Sequence, residues 1–143
     1  NLIYSGQLKC MKKQIKALFP DINIQITIEL DDSRSPKTFQ TILENLPVEI
    51  NITKWGDELY TERTHIKSIE ENAKREVDYL DVAYWPEGNA LCLFYGPTPI
   101  SKDGQILAYS PVNIVGKIIS DGNEKDELLQ KIKDNTRVIF KLA

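Results

Sequence analysis

Ile22-Asn23-Ile24-Gln25-Ile26-Thr27-Ile28-Glu29-Leu30 alternates an apolar with a polar residue at every step. Successive side chains of a strand point to opposite faces, so this stretch has one face to bury and one to wet. Its β-branched isoleucines suit a pleated surface. Upstream, Lys13 to Phe19 reads as a second strand, with Pro20-Asp21 as the turn between them, so the pair is expected as a hairpin. Downstream, Ser35-Pro36 is a sharp helix start. Ser is a favoured N-cap, and Pro is favoured at the first helical position, where its missing N–H is not needed. Phe39, Ile42, Leu43 and Leu46 then form one apolar stripe for core packing, and Pro47 ends the helix.

Val48, Ile50 and Ile52 resume the alternation and lead into Lys54-Trp55-Gly56-Asp57-Glu58-Leu59-Tyr60. From Thr64 to Val77 the apolar positions are sparse, and the expectation is strand, irregular loop, strand. Val82 to Trp85 and Ala90 to Tyr95 are short apolar runs flanking Pro86-Glu87-Gly88-Asn89, the pattern of a buried hairpin. Gly96-Pro97-Thr98-Pro99 breaks the second run. Val112 to Ile119 is β-branched with Gly116 inside it, which marks a bulge or a close backbone approach. Asp121-Gly122-Asn123 leads to a second helix with Leu128, Leu129 and Ile132 inward, and Thr136 to Leu142 closes as a strand. About eight strands and two helices without an internal repeat make a mainly β protein, a barrel or sandwich with capping helices.

A length of 143 residues fits one domain, and 41% hydrophobic with 27% charged residues is globular composition, not that of a disordered chain. Lys plus Arg number 18 against 21 Asp plus Glu, a net charge of −3, so neither nucleic acid nor an anionic membrane is an expected partner. The longest apolar run, Ala90 to Tyr95, is far shorter than the roughly 20 residues of a membrane helix. Cys10 and Cys92 are too few for a disulfide framework. With no apolar segment between charged flanks at the start, the expected location is cytoplasmic. Met11 is the only Met, so residues 1–10 are expected to be an N-terminal extension to a domain spanning 11–143, whether the natural start lies upstream or at Met11.

Three segments resemble the cyclophilin fold. Ile28-Glu29-Leu30 followed by Ser35-Pro36-Lys37-Thr38-Phe39 is similar to the cyclophilin strand that enters its first helix. Asn89 to Tyr95 sits where cyclophilins have an Asn-Gly-Ser-Gln-Phe-Phe strand, and Val115 to Gly122 resembles their segment before the second helix. Trp55 to Tyr60, Tyr84 to Pro99 and Ser110-Pro111-Val112-Asn113 match more closely the motifs of a small prokaryotic cyclophilin-like group. The resemblance covers nearly all of Met11 to Ala143. It implies a closed eight-stranded β-barrel capped by two α-helices.

Cyclophilins isomerise Xaa-Pro bonds, whose barrier is roughly 18–20 kcal/mol, with an Arg donor, an apolar pocket and a Gln that holds the peptide. Here Trp55 to Tyr60, where the Arg is expected, holds acids and no Arg, and Arg63 lies just beyond. Leu91-Cys92 stands in the slot of the Ser-Gln pair, and the Gln-Gly-Gly-Asp motif is missing.

Other chemistry has little support. On one strand face Glu58 and Glu62 would lie about 13 Å apart, beyond the roughly 5–9.5 Å of paired glycosidase carboxylates. His65 is the sole His, so no metal site and no Ser-His-acid triad is expected. No two glycines have Gly-x-Gly spacing, which removes the dinucleotide and phosphate loops, and no cofactor is expected.

Binding residues are easier to find. Trp offers a flat apolar face with one N–H, and Asn a donor with an acceptor. Trp55, Glu58, Tyr60, Trp85, Asn89, Phe94, Thr98 and Asn113 are the candidate groove residues. For each a structural role competes: a solvated face for Glu58 and Tyr60, a hairpin tip for Trp85 and Asn89, core for Phe94. Loop stiffening competes at Thr98, and a bond to a neighbouring loop at Asn113. The expected function is binding of a small molecule or short peptide. The alternatives are a divergent prolyl isomerase using Arg63 or Tyr60 as donor, and a homo-oligomer whose interface uses the exposed aromatics.

Overall fold

The computed structural model describes residues 3–4, 7–8, 10–119 and 124–143. Two short strands, β1 (Ile3–Tyr4) and β2 (Gln7–Leu8), pair with each other in antiparallel fashion. The expected hairpin follows as β3 (Lys12–Phe19) and β4 (Ile24–Asp31), in antiparallel register from Lys12↔Asp31 to Phe19↔Ile24. The alternation loses its first two residues to a single turn of 3-10 helix over Pro20–Ile22, closed by Asn23 at φ 55°. Asn tolerates that left-handed conformation better than most residues.

Helix α1 (Pro36–Asn45) starts at Ser35-Pro36, but the Ser35 hydroxyl does not cap it. It donates instead to the Glu71 carbonyl at 3.4 Å. The free amides of the first turn are taken by the Glu71 carboxylate, which accepts from the Lys37 N–H at 3.1 Å and the Thr38 N–H at 2.7 Å. The helix therefore has its cap, supplied from a distant loop.

Strands β5 (Val48–Trp55), β6 (Glu58–Thr61), β7 (Lys74–Val77), β8 (Asp81–Trp85), β9 (Ala90–Phe94) and β10 (Ile106–Ile118) follow, then α2 (Glu124–Lys131) and β11 (Thr136–Leu142). The strands run β4-β3-β11-β5-β6-β9-β8-β10, and pairing of β10 with β4 closes the ring, giving an eight-stranded antiparallel barrel. Strand β7 pairs with the first half of β10, outside the ring. Asp121-Gly122-Asn123, expected to lead into α2, lies outside the described residues.

One face of every stave fills the barrel. Ile15, Ala17 and Phe19 of β3, Ile24, Ile26, Ile28 and Leu30 of β4, Ile52 of β5 and Leu59 of β6 are buried there. Val82 and Tyr84 of β8, Leu91 and Leu93 of β9, Val115 and Ile118 of β10, and Val138 and Phe140 of β11 join them. Phe39 and Ile42 of α1, and Leu129 with Ile132 in and just after α2, complete this core, so both helices cap it. Each such aliphatic side chain contributes roughly 1.5–3 kcal/mol on burial.

Gly116 fulfils both readings. The β10–β8 register slips between Ile114 and Gly116, and a Cβ on Gly116 would lie 2.3 Å from the Glu29 carbonyl oxygen of β4. Barrel closure therefore runs through a position only glycine fits. The two-residue turn between β5 and β6 is likewise locked: Gly56 (φ 59°) abuts Pro97 and Pro99, and the Asp57 N–H donates to the Pro97 carbonyl at 2.9 Å.

The stretch expected as strand, loop and strand is irregular over residues 62–73, and only β7 is extended. Its buried polar backbone is served by distant side chains. Tyr84 Oη donates to the Ile66 carbonyl and accepts from the Ser68 N–H, while Asn113 Oδ1 accepts from the Glu71 N–H at 2.9 Å.

Candidate functional site

Because Leu59, Leu91, Leu93, Val82 and Tyr84 point into the barrel, their neighbours Glu58, Tyr60, Cys92, Phe94, Ala83 and Trp85 point outward. They do not all reach water. Val77 of β7 and Ala108, Val112 and Ile114 of β10 lie over them and make a second, smaller apolar cluster. At its open side is a cavity of about 410 Å³ lined by Trp55, Glu58, Tyr60, Trp85, Cys92, Ala108, Tyr109, Ser110 and Val112.

The far wall exists because β10 is irregular. Leu107 pairs with Glu76, yet Val112 pairs with Lys74, so β10 carries surplus residues between them. This bulge brings Tyr109 and Ser110 to the cavity, and the Arg75 Nε–H pins it by donating to the Ala108 carbonyl at 3.2 Å.

Four rings form a chain around the cavity. Tyr60 and Trp85 are 6.1 Å apart at 80°, Trp85 and Tyr109 6.0 Å at 83°, and Tyr109 and Trp55 6.3 Å at 77°. These are edge-to-face contacts, the arrangement that ring quadrupoles favour. The Trp85 indole N–H donates to Ser110 Oγ at 2.5 Å, and its ring lies on Gly88, where a Cβ would be 2.3 Å from the ring.

Among the described residues Glu58 is the one carboxyl group lining the cavity, and it is 5% exposed. Burial pushes its pKa up to about 7, opposed in part by a hydrogen bond with the Cys92 thiol. Burial, together with the Glu58 charge, raises the Tyr60 phenol and lifts the Cys92 thiol well above its ordinary range. The site thus combines apolar aromatic walls with one carboxyl that changes charge near neutrality. Among the described residues no three His, Cys, Asp or Glu side chains come together.

Trp55, Glu58, Tyr60 and Trp85 are brought together as the sequence suggested; the other four candidates are seated elsewhere. Phe94 is fully buried in the cluster behind the cavity. Asn89 donates to Tyr84 Oη and the Ile66 carbonyl and accepts from Arg63. Thr98 Oγ1 donates to the Leu107 carbonyl at 2.5 Å and stiffens its loop. Asn113 is fully buried and ties Ile69, Glu71 and Thr38 together. For the three polar residues, other protein groups claim the side-chain polar atoms, which is the common fate of buried amides and hydroxyls. Arg63, the candidate donor, is held on the β8–β9 turn by Asn89 and the Glu87 carbonyl and does not line the cavity. Sequence reasoning missed Cys92, Ala108, Tyr109, Ser110 and Val112 as wall residues. The Ser110-Pro111 step was the available signal, since Pro cannot sit in a regular central strand.

A closed antiparallel barrel with helical caps and a covered pocket on its outer surface is a cyclophilin-type architecture. The model of the cyclophilin-like family matches residues 13–141, and the chain belongs to that family. The hypothetical protein AF2241 from Archaeoglobus fulgidus, solved in solution, is 32% identical over 94% of this chain and 98% of its own, with a TM-score of 0.76. McbB, solved in complex with tryptophan, shares the fold at 18% identity over 90% of this chain and 44% of its own, with a TM-score of 0.66. No curated protein matches. Among the described residues, no helix is long and apolar enough to cross a membrane.

Proposed function

We propose that the chain binds a small organic molecule, or a short peptide segment, in the outer pocket between β6, β9, β8 and the bulge of β10. One observation carries the reading: a 410 Å³ cavity walled by Trp55, Tyr60, Trp85 and Tyr109 has a single buried carboxyl, Glu58, among its lining groups. Mostly apolar concavities with a few oriented polar groups are what ligand sites are made of, and this volume lies within their usual range. Among the described residues no guanidinium lines the pocket, and Arg63 is engaged on the β8–β9 turn.

The test is a small-molecule and peptide screen followed by the indole N–H signals of Trp55 and Trp85 in ¹⁵N NMR. Binding compounds should shift both signals and lose affinity in the Trp55→Ala/Trp85→Ala protein. Hits that bind this double variant as well as the parent would place binding elsewhere. Exchange NMR on an Ala-Pro peptide should show no acceleration over the uncatalysed tens to hundreds of seconds. Accelerated exchange would replace this reading with a divergent isomerase.

A further inference from the structure

We infer that the pocket selects an organic cation: an alkylammonium group seated among Trp55, Tyr60, Trp85 and Tyr109 and paired with Glu58. This rests on the reading of the pocket as a binding site and names the chemistry of its ligand.

Three observations converge. First, consecutive rings stand at 80°, 83° and 77° to one another, as adjoining walls of a box do, and they border one cavity. The face of an aromatic ring carries negative electrostatic potential, and such boxes favour alkylammonium groups. Second, the Trp85 N–H is already spent on Ser110 Oγ, so this ring, which lines the cavity, brings it no free N–H donor. Third, the lining contains one carboxyl and no Lys, Arg or His. Lys54 Nζ is held on the Gln130 and Ile132 carbonyls, and the Arg75 Nε–H is held by the Ala108 carbonyl behind the cavity wall; neither residue is among those that line the cavity. Among the described residues Glu58 forms no ion pair within 4 Å; its neighbour is the Cys92 thiol. A buried carboxylate without a counter-charge is costly. An ammonium ligand supplies the missing charge and favours the ionised form, whereas a neutral ligand of the same shape leaves Glu58 to take up a proton or stand uncompensated. The cavity of about 410 Å³ holds the volume of about 14 waters at about 30 Å³ each, enough for a trimethylammonium head with a short tail.

The decisive comparison is choline against 3,3-dimethylbutan-1-ol, its neutral carbon isostere, titrated into the full chain and read at the Trp55 and Trp85 indole signals. Choline should bind at least tenfold more tightly than the alcohol. Its affinity should rise between pH 5 and pH 8 as Glu58 ionises and stay flat in Glu58→Gln. Tyr60 on β6 and Cys92 on β9 share the cavity and are pushed to higher pKa, so neither mimics that rise. Trp55, Trp85 and Ser110 carry no titratable charge in this range, and Tyr109→Phe controls for the remaining phenol. If Glu58→Gln does not fold, the isostere pair on the parent protein still decides. Equal binding of the two probes, or binding of neutral screen compounds but not choline, overturns the cation inference and leaves the pocket a binding site. If no compound moves either indole signal, both readings fall.

Discussion

Replacing Glu58 by Gln should change the pH dependence of stability in a window that few other residues share. In the folded protein burial lifts the Glu58 carboxyl from an ordinary 4.5 to about 7, and the side chain is only 5% exposed, so solvent screening takes little away. The folded state therefore holds this proton more tightly than the unfolded chain does. Between pH 4.5 and about 7 the native protein binds more protons, and stability falls as the pH rises. The contribution is complete below the lower value and gone above the upper one. At 1.36 kcal/mol per pKa unit, the parent should lose about 3 kcal/mol across the window. Gln keeps the shape and cannot titrate, so subtracting the Glu58→Gln curve removes every group common to both proteins. Urea denaturation at half-unit steps from pH 4.5 to 8 measures the difference directly. Parent and variant curves that run parallel across that range would refute the burial of an uncompensated carboxyl, and with it the electrostatic description of the pocket.

Two further perturbations test the framework around the site. Gly88→Ala places a methyl group 2.3 Å from the Trp85 ring, so the indole must leave Ser110; we expect a cost of about 1–3 kcal/mol and a displaced Trp85 indole N–H signal, and an unchanged spectrum would contradict the packing. Glu71→Ala removes the carboxylate that accepts from Lys37 and Thr38, at about 1–2 kcal/mol near pH 7 for a half-exposed cap. Burial alone would raise the Glu71 pKa, but the Thr38 and Lys37 hydrogen bonds and the Lys37 charge outweigh it and hold the group below its ordinary value. Its stabilisation is therefore present above the unfolded pKa and disappears as the pH falls through the folded one, so thermal melts of parent and variant should converge in acid.

The barrel was legible where side-chain period and burial coincide. Ile24 to Leu30, Val48 to Ile52 and the runs around the Pro86–Asn89 turn are regular staves with one buried face, and local sequence carries all that is needed to see them. Residues 62–73 were not legible, because their backbone partners are Tyr84, Asn89 and Asn113, which are distant in sequence. The same three-dimensional pairing explains why Asn89 and Asn113 resembled pocket residues: a buried amide looks alike in sequence whether it serves a ligand or a loop. Trp55, Glu58, Tyr60 and Trp85 were readable as large or charged side chains on apolar strands. Tyr109 was not, since the bulge in β10 destroys the period that would have assigned it a face.

Strands β6, β8 and β9 each spend alternate residues on two separate tasks. Positions 59, 82, 84, 91 and 93 hold the barrel, while 58, 60, 85 and 92 face the cavity, so neighbours in the chain belong to different regions in space. The pocket's chemistry can therefore be rewritten one residue at a time without emptying the interior. Replacing Glu58 by a base, or Trp85 by a smaller ring, alters what the wall offers and leaves Leu59 and Tyr84 where they are. A library confined to the cavity-facing positions of these three strands would explore new ligand specificities on an intact scaffold.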